Sequence, residues 1–180
     1  MPYFQWIKPI QFYRSLNNSF LIKFLMDLDQ QIQALINNGP QDRTTVNLVA
    51  AIAPGLKMIA QQLEYGEYYI LQTVDQRWVL TTLSNLKQPK LEKRVIYAYP
   101  CLEDAATQAN AQTSPADVAQ LPVISLLFQM LALPMLDSLI FFDNPGSFES
   151  GTEVKQEEVQ TLVRSYLQHY QSTQPPSNLA

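Results

Sequence analysis

Residues 136–163 read LDSLIFFDNPGSFESGTEVKQEEVQTLV, and the change of texture along them decides the fold class. Leu139-Ile140-Phe141-Phe142 is a short β-rich apolar run, and Asp143-Asn144-Pro145-Gly146-Ser147 stops it with residues that suit a turn. A polar loop is then expected to lead into a helix that starts near Glu153 to Gln156. Val154, Val159, Leu162, Val163, Tyr166 and Leu167 recur on its inner side. Strand, turn and helix in one short stretch call for a body in which a sheet packs against helices.

Working outward, two helices are expected near the amino terminus. Leu21, Phe24, Leu25, Leu28, Ile32, Leu35 and Ile36 recur every three or four residues, from a cap at Ser19 to a stop at Asn37-Asn38-Gly39-Pro40. Thr44 or Thr45 is expected to cap a second helix, which Pro54 interrupts. The two form a helical hairpin whose apolar sides need a sheet or another subunit to cover them. Tyr68–Val74 and Arg77–Leu83 then read as a β-hairpin turning at Asp75-Gln76, and Arg94–Tyr99 adds a third strand to make a meander. Residues 101–112 read as a helix with acids at its start, and Val123–Leu133 as an apolar helix approached through Ser114-Pro115.

The expected fold is therefore α+β, an antiparallel or mixed sheet packed with helices and preceded by the helical hairpin. Residues 1–170 form one domain with 1–66 as a helical subdomain, and 171–180 form a tail that frays from Gln171. At 180 residues and 47% hydrophobic composition, the chain can bury a core without metal or disulfide staples.

Order and texture over residues 68–167 resemble the SseB amino-terminal domain family. The likeness lies in the strands Trp78–Leu83 and Val95–Tyr99, the Cys101–Asn110 helix, Leu121-Pro122-Val123, and Ile140-Phe141-Phe142-Asp143-Asn144-Pro145-Gly146-Ser147 before Glu157-Glu158-Val159. The resemblance implies a non-catalytic protein-interaction domain with no cofactor and no catalytic set. The amino-terminal hairpin departs from that pattern.

Charge and composition narrow the chemistry. Sixteen acidic and twelve basic side chains leave a formal charge of −4, so a nucleic-acid partner is not expected. The opening MPYFQWIKPIQFY lacks the apolar core of a secretory leader, and no run reaches the roughly 20 apolar residues of a membrane helix. No membrane insertion is expected, and the expected location is cytoplasmic. The one cysteine, Cys101, fits a reducing compartment. The one histidine, His169, cannot build a multi-histidine metal site, so neither metal nor cofactor is expected.

Several residue sets carry the types that a site would use. Asp143, Glu149 and Glu153 around the bend would be the carboxylates of a small hydrolase or acid/base enzyme. Ser147, His169 and Asp143 have the residue types of a nucleophilic triad without its G-x-S-x-G setting, and Cys101 with His169 lacks a geometry in the same way. Glu103-Asp104 and Glu157-Glu158 are neighbours whose side chains diverge on a helix, which fits solvated helix starts. Arg77, Lys87, Lys90, Lys93 and Arg94, among Trp78 and Tyr97, would meet an acidic peptide or simply end strands in solvent.

The preferred reading is a non-catalytic interaction or assembly-assisting protein whose partner is another intracellular protein. Its anchors would be the aromatic arm Tyr3, Phe4, Trp6, Phe12 and Tyr13, with Arg14 and Lys23 beside it. Asp143, Asn144, Gly146 and Ser147 would form a turn or the rim of a peptide site. A structural homodimer joined through the helical hairpin is the further alternative.

Overall fold

The computed structural model describes residues 27–85 and 88–173, with the backbone alone at 85, 88–91 and 173. The elements are α1 (Leu28–Asn38), α2 (Arg43–Ala60), β1 (Glu67–Thr73), β2 (Thr81–Asn85), β3 (Gln88–Ala98) and α3 (Leu102–Asn110). After these come β4 (Ala116–Pro122), α4 (Val123–Met130), β5 (Ser138–Asn144), β6 (Ser147–Lys155) and α5 (Gln156–Thr173). A mixed four-stranded sheet has the order β2-β3-β5-β6, parallel only between β3 and β5, and β1 pairs with β4 in a second, antiparallel ladder. The two ladders touch where Tyr69 and Tyr99 exchange backbone hydrogen bonds of 2.8 and 2.7 Å. The α+β class, with two helices paired at the front, is what the residue pattern implied.

Strand alternation splits the sheet into two faces. Tyr68 and Ile70 of β1, Ile96 and Ala98 of β3, and Leu139 and Phe141 of β5 enter the main core. That core is closed by α1, α2, α4 and α5, so helices of the same chain supply the cover that the hairpin required. On the opposite face Leu71, Tyr99 and Phe142 meet Ala105 of α3, with Tyr69, Tyr97 and Ile140 alongside.

The most buried helix is α4, where Val123, Ile124, Leu126, Leu127 and Met130 have no exposed surface. Its end groups therefore cannot rely on water, and its N-cap is Pro122, which brings no side-chain acceptor. Gly66 O accepts from Val123 N at 2.8 Å, and Gln31 Oε1 of α1 accepts from Ile124 N at 3.1 Å. The Gln31 amide also donates to Gly66 O at 2.9 Å, and the side chain is 2% exposed. At the other end, Gln156 Nε2 donates to Met130 O at 2.5 Å and to Leu133 O at 2.8 Å. Two distant glutamines thus cap one apolar helix.

Five expectations change. Of the helix expected from Ser19 to Gly39, the described part is Leu28–Asn38, with non-helical Asp27 as its N-cap and extended Gly39 as its C-cap, and residues 19–26 lie outside the described residues. Neither Thr44 nor Thr45 caps α2; Asp42 does, accepting from Thr45 N at 2.9 Å. Nor does Pro54 interrupt α2: the ring removes the hydrogen bond to the Ala50 carbonyl, but both residues lie on the exposed side where water replaces it. The β-hairpin expected between Tyr68–Val74 and Arg77–Leu83, and with it the meander, is replaced. Only a stub remains at Thr73 N to Arg77 O (2.8 Å) and Val79 N to Leu71 O (2.9 Å), while β1 pairs over seven residues with β4. Ala116–Pro122 carries little β propensity, and backbone pairing with a half-buried neighbour overrides it.

The fifth change concerns the polar loop expected after the bend, which is the edge strand β6, and Gln171 lies inside α5 rather than in a fraying tail. An edge strand with one solvated face needs few apolar residues, and only Val154 of β6 is buried. Where Gly151 faces Phe142, a Cβ would stand 2.8 Å from the Phe141 carbonyl oxygen.

Replacing Gln31 or Gln156 with leucine is expected to lower the free energy of urea unfolding by about 1–3 kcal/mol each, since each leaves buried backbone groups unpaired. Unchanged midpoints would show that the α4 ends do not depend on them. Gly151→Ala is expected to cost roughly 1–3 kcal/mol, because backbone rather than a movable side chain blocks the methyl group. A thermal melt coincident with the parent would remove that constraint.

Candidate functional site

Ring contacts concentrate on the sheet face beneath α3. Tyr97 stacks on Phe142 with centroids 5.5 Å apart and planes 15° apart, and Tyr99 lies 6.5 Å from Tyr97 and 5.5 Å from Phe142. Phe148 closes the group edge-on, 5.1 Å from Phe142 and 6.0 Å from Tyr99, yet remains 45% exposed. A register shift sets its direction. Val154 enters the main core, but the two extra β6 residues between the Phe142 and Asn144 pairings break the regular alternation, and within this irregular stretch Phe148 lies on the other face against Tyr99 and Phe142.

A groove of about 190 Å³ opens beside these rings, floored by Leu71, Val79, Tyr97 and Tyr99 and bordered by Thr81, by Gln108 of α3 and by Gln112 just past the end of that helix. Burial first, then Tyr97 and the charge of Asp104, pushes the Tyr99 hydroxyl up to about 12. Burial, followed by the charges of Glu67 and Glu103, raises Tyr69 as well. Both stay neutral at physiological pH.

The bend Asp143–Ser147 forms a turn that supports this face. Asn144 pairs with Ser147, so Pro145-Gly146 forms a two-residue connection in which Gly146 takes φ 72°. Gly146 N donates to Asp104 Oδ2 of α3 at 2.8 Å, and the Tyr65 hydroxyl donates to the Asp143 carbonyl at 3.1 Å. Asn144 Nδ2 donates to Ser150 Oγ at 3.2 Å. The turn is fastened to the helix that covers the rings.

The carboxylates considered for acid/base chemistry are spread along the strands. Glu153 pairs with Ile140, three residues from Asp143, which separates them by about 10 Å along the sheet. Glu153 accepts from Lys93 and, at 2.5 Å, from the Ser138 hydroxyl. The Lys93 contact, then the Ser138 hydroxyl, holds it below the ordinary glutamate value, which keeps it anionic. Glu149 is exposed, and its amide donates to Ser147 Oγ at 3.4 Å. His169 lies exposed near the end of α5, and among the described residues no hydrogen bond joins it to Ser147, Asp143 or Cys101. Cys101 sits at the N-cap of α3, where burial pushes its thiol up and disfavours the thiolate.

Glu158 pairs with Lys155 at 3.1 Å, and Asp104 is taken by the bend. The expected basic stretch is largely neutralised where it is described: Arg77 meets Asp75 at 3.3 Å, Lys93 meets Glu153, and Arg94 meets Asp137 at 3.8 Å. Lys87 and the Lys90 side chain lie outside the described residues, as do Tyr3, Phe4, Trp6, Phe12, Tyr13, Arg14 and Lys23. Among the described residues no group of three or more His, Cys, Asp or Glu could hold a metal ion, and no helix is long and apolar enough to cross a membrane. No family model, curated protein or solved structure matches the chain.

Tyr99, Phe142 and Phe148 were not singled out from the sequence as site residues. The alternation of Tyr97 and Tyr99 with Ile96 and Ala98 was the available signal, since it places both tyrosines on the side away from the apolar pair.

The depressed Glu153 pKa makes its contribution to stability complete above about 4.5 and lost as pH falls through the lower folded value. Urea unfolding of the parent and of Glu153→Gln as a function of pH is expected to show a parent advantage near neutrality that shrinks below about 4.5. A difference independent of pH would mean that the Lys93 and Ser138 contacts do not govern this carboxylate.

Proposed function

We propose that this chain is a non-catalytic binding module that holds another intracellular protein through the ring face beside α3. The supporting observation is the partly exposed Phe148 set against Tyr99 and Phe142 at the mouth of an aromatic groove. Rings offer large contact area at low entropic cost, and a buried aromatic centre with a polar rim is the usual composition of a binding hot spot. The groove, at about 190 Å³, is smaller than the roughly 300–1,000 Å³ of small-molecule sites, which favours a protruding side chain over a free metabolite.

The nearby charged groups support the same reading. Glu153, which an acid/base mechanism would use, is engaged by Lys93 and Ser138. The aromatic arm Tyr3, Phe4, Trp6, Phe12 and Tyr13 is proposed as a second anchor on its composition. The SseB resemblance implies a protein-interaction domain in the same way, and an assembly-assisting role is proposed on the aromatic amino terminus and the apolar helices.

Capture of partners from an extract of the source cells by the full-length chain is the direct test. Phe148→Glu is expected to cut partner recovery at least tenfold while lowering stability by about 1 kcal/mol, the scale of its ring contacts. Trp6→Ser is expected to weaken recovery separately. Undiminished recovery by a folded Phe148→Glu protein would remove the ring face from the reading.

A further inference from the structure

The electrostatics of the groove go further than its apolar floor. The last turn of α3 carries no basic residue, and this end of the helix, the negative end of its dipole, is where Gln108 and Gln112 border the groove. The Gln112 amide nitrogen is turned back to the Gln108 carbonyl at 3.3 Å, so its carbonyl oxygen is left to accept from outside. At the start of the same helix stand Glu103, whose charge acts on Tyr69 together with that of Glu67 of β1, and Asp104, whose charge acts on Tyr99. Among the described residues none of Glu67, Glu103 and Asp104 has a cationic partner, although five other ion pairs are formed. One side of Tyr97 is stacked on Phe142, and the ring also lines the groove, where a cation would meet its π surface.

We infer that the groove between α3 and the sheet receives one cationic side chain, an arginine or lysine flanked by apolar residues on a segment of a partner protein. This rests on the ring face being the binding surface. The aliphatic stem lies along Leu71 and Val79, and the charged head meets the tyrosine rings, the glutamine carbonyls and the helix end. Of the two cations, arginine fits better, because its flat guanidinium stacks on rings and its several donors can meet both glutamines. An acidic segment would instead meet carboxylates of its own sign.

The full-length protein, titrated with acetyl-Leu-Phe-Arg-Leu-amide and with its neutral citrulline twin while backbone amide resonances are followed, tests this. The arginine peptide is expected to shift Thr81, Tyr97, Gln108 and Gln112 saturably, and the citrulline peptide to bind at least tenfold more weakly. Gln112→Lys, which puts a positive charge on the groove rim at an exposed position just past α3, is expected to weaken the arginine peptide at least tenfold. Gln112→Glu is expected to strengthen it. Equal binding of both peptides at these residues overturns the cationic preference while leaving the ring face standing. Shifts elsewhere, or none with either peptide, also overturn the inference, and the Phe148→Glu capture judges the face independently. Contacts between residues 1–26 and Tyr97 in the free protein would overturn it too, by making the chain's own Lys8, Arg14 or Lys23 the occupant.

Discussion

A helix buried along most of its length must send its end groups to other parts of the protein, and α4, with Val123, Ile124, Leu126, Leu127 and Met130 fully buried, is such a helix. Gln31 of α1 and Gln156 at the head of α5 meet that demand from 93 and 26 residues away. Each cap also fixes its own element: Gln31 ties α1 to the loop at Gly66, and Gln156 ties the β6–α5 junction to the segment after α4. The main-core face of the sheet is then closed by helices whose relative positions are set by directional bonds as well as by apolar contact.

Closure of one face leaves the other to a single short helix. α3 presents Ala105 and Ala109 to Leu71, Tyr99 and Phe142, small residues that let it sit close to the rings. Its nine residues do not cover the whole face, and the groove opens where its last turn ends. The Asp104 to Gly146 bond holds the β5–β6 turn against the helix start, while the register shift above that turn aims Phe148 at Tyr99. One loop therefore positions both the cover and the exposed ring.

Charge is arranged in keeping with this division. On the sheet, Lys93 and Glu153 neutralise each other beside Ser138, and Arg94 and Asp137 do the same one register step away. Around α3 the carboxylates Glu67, Glu103 and Asp104 have no such partners among the described residues. The exposed pairs contribute little stability by themselves, and their consequence is which surface stays available to a cation.

Side-chain periodicity determined α1, α2, α3 and α4, the strand character of β1, β3 and β5, and the α+β class, because burial on one side of an element writes a repeat into its own residues. The turn at Pro145-Gly146 was legible for the same local reason: proline fixes one torsion and glycine alone takes the other without strain. Strands β4 and β6 left no such mark, since backbone ladders stabilise them and their side chains are mixed or polar. Which strand β1 would choose, the glutamine caps of α4, and the meeting of Tyr97, Tyr99, Phe142 and Phe148 depend on residues far apart in the chain. Those were decided only when tertiary packing brought unpaired backbone groups and half-buried rings within reach of one another.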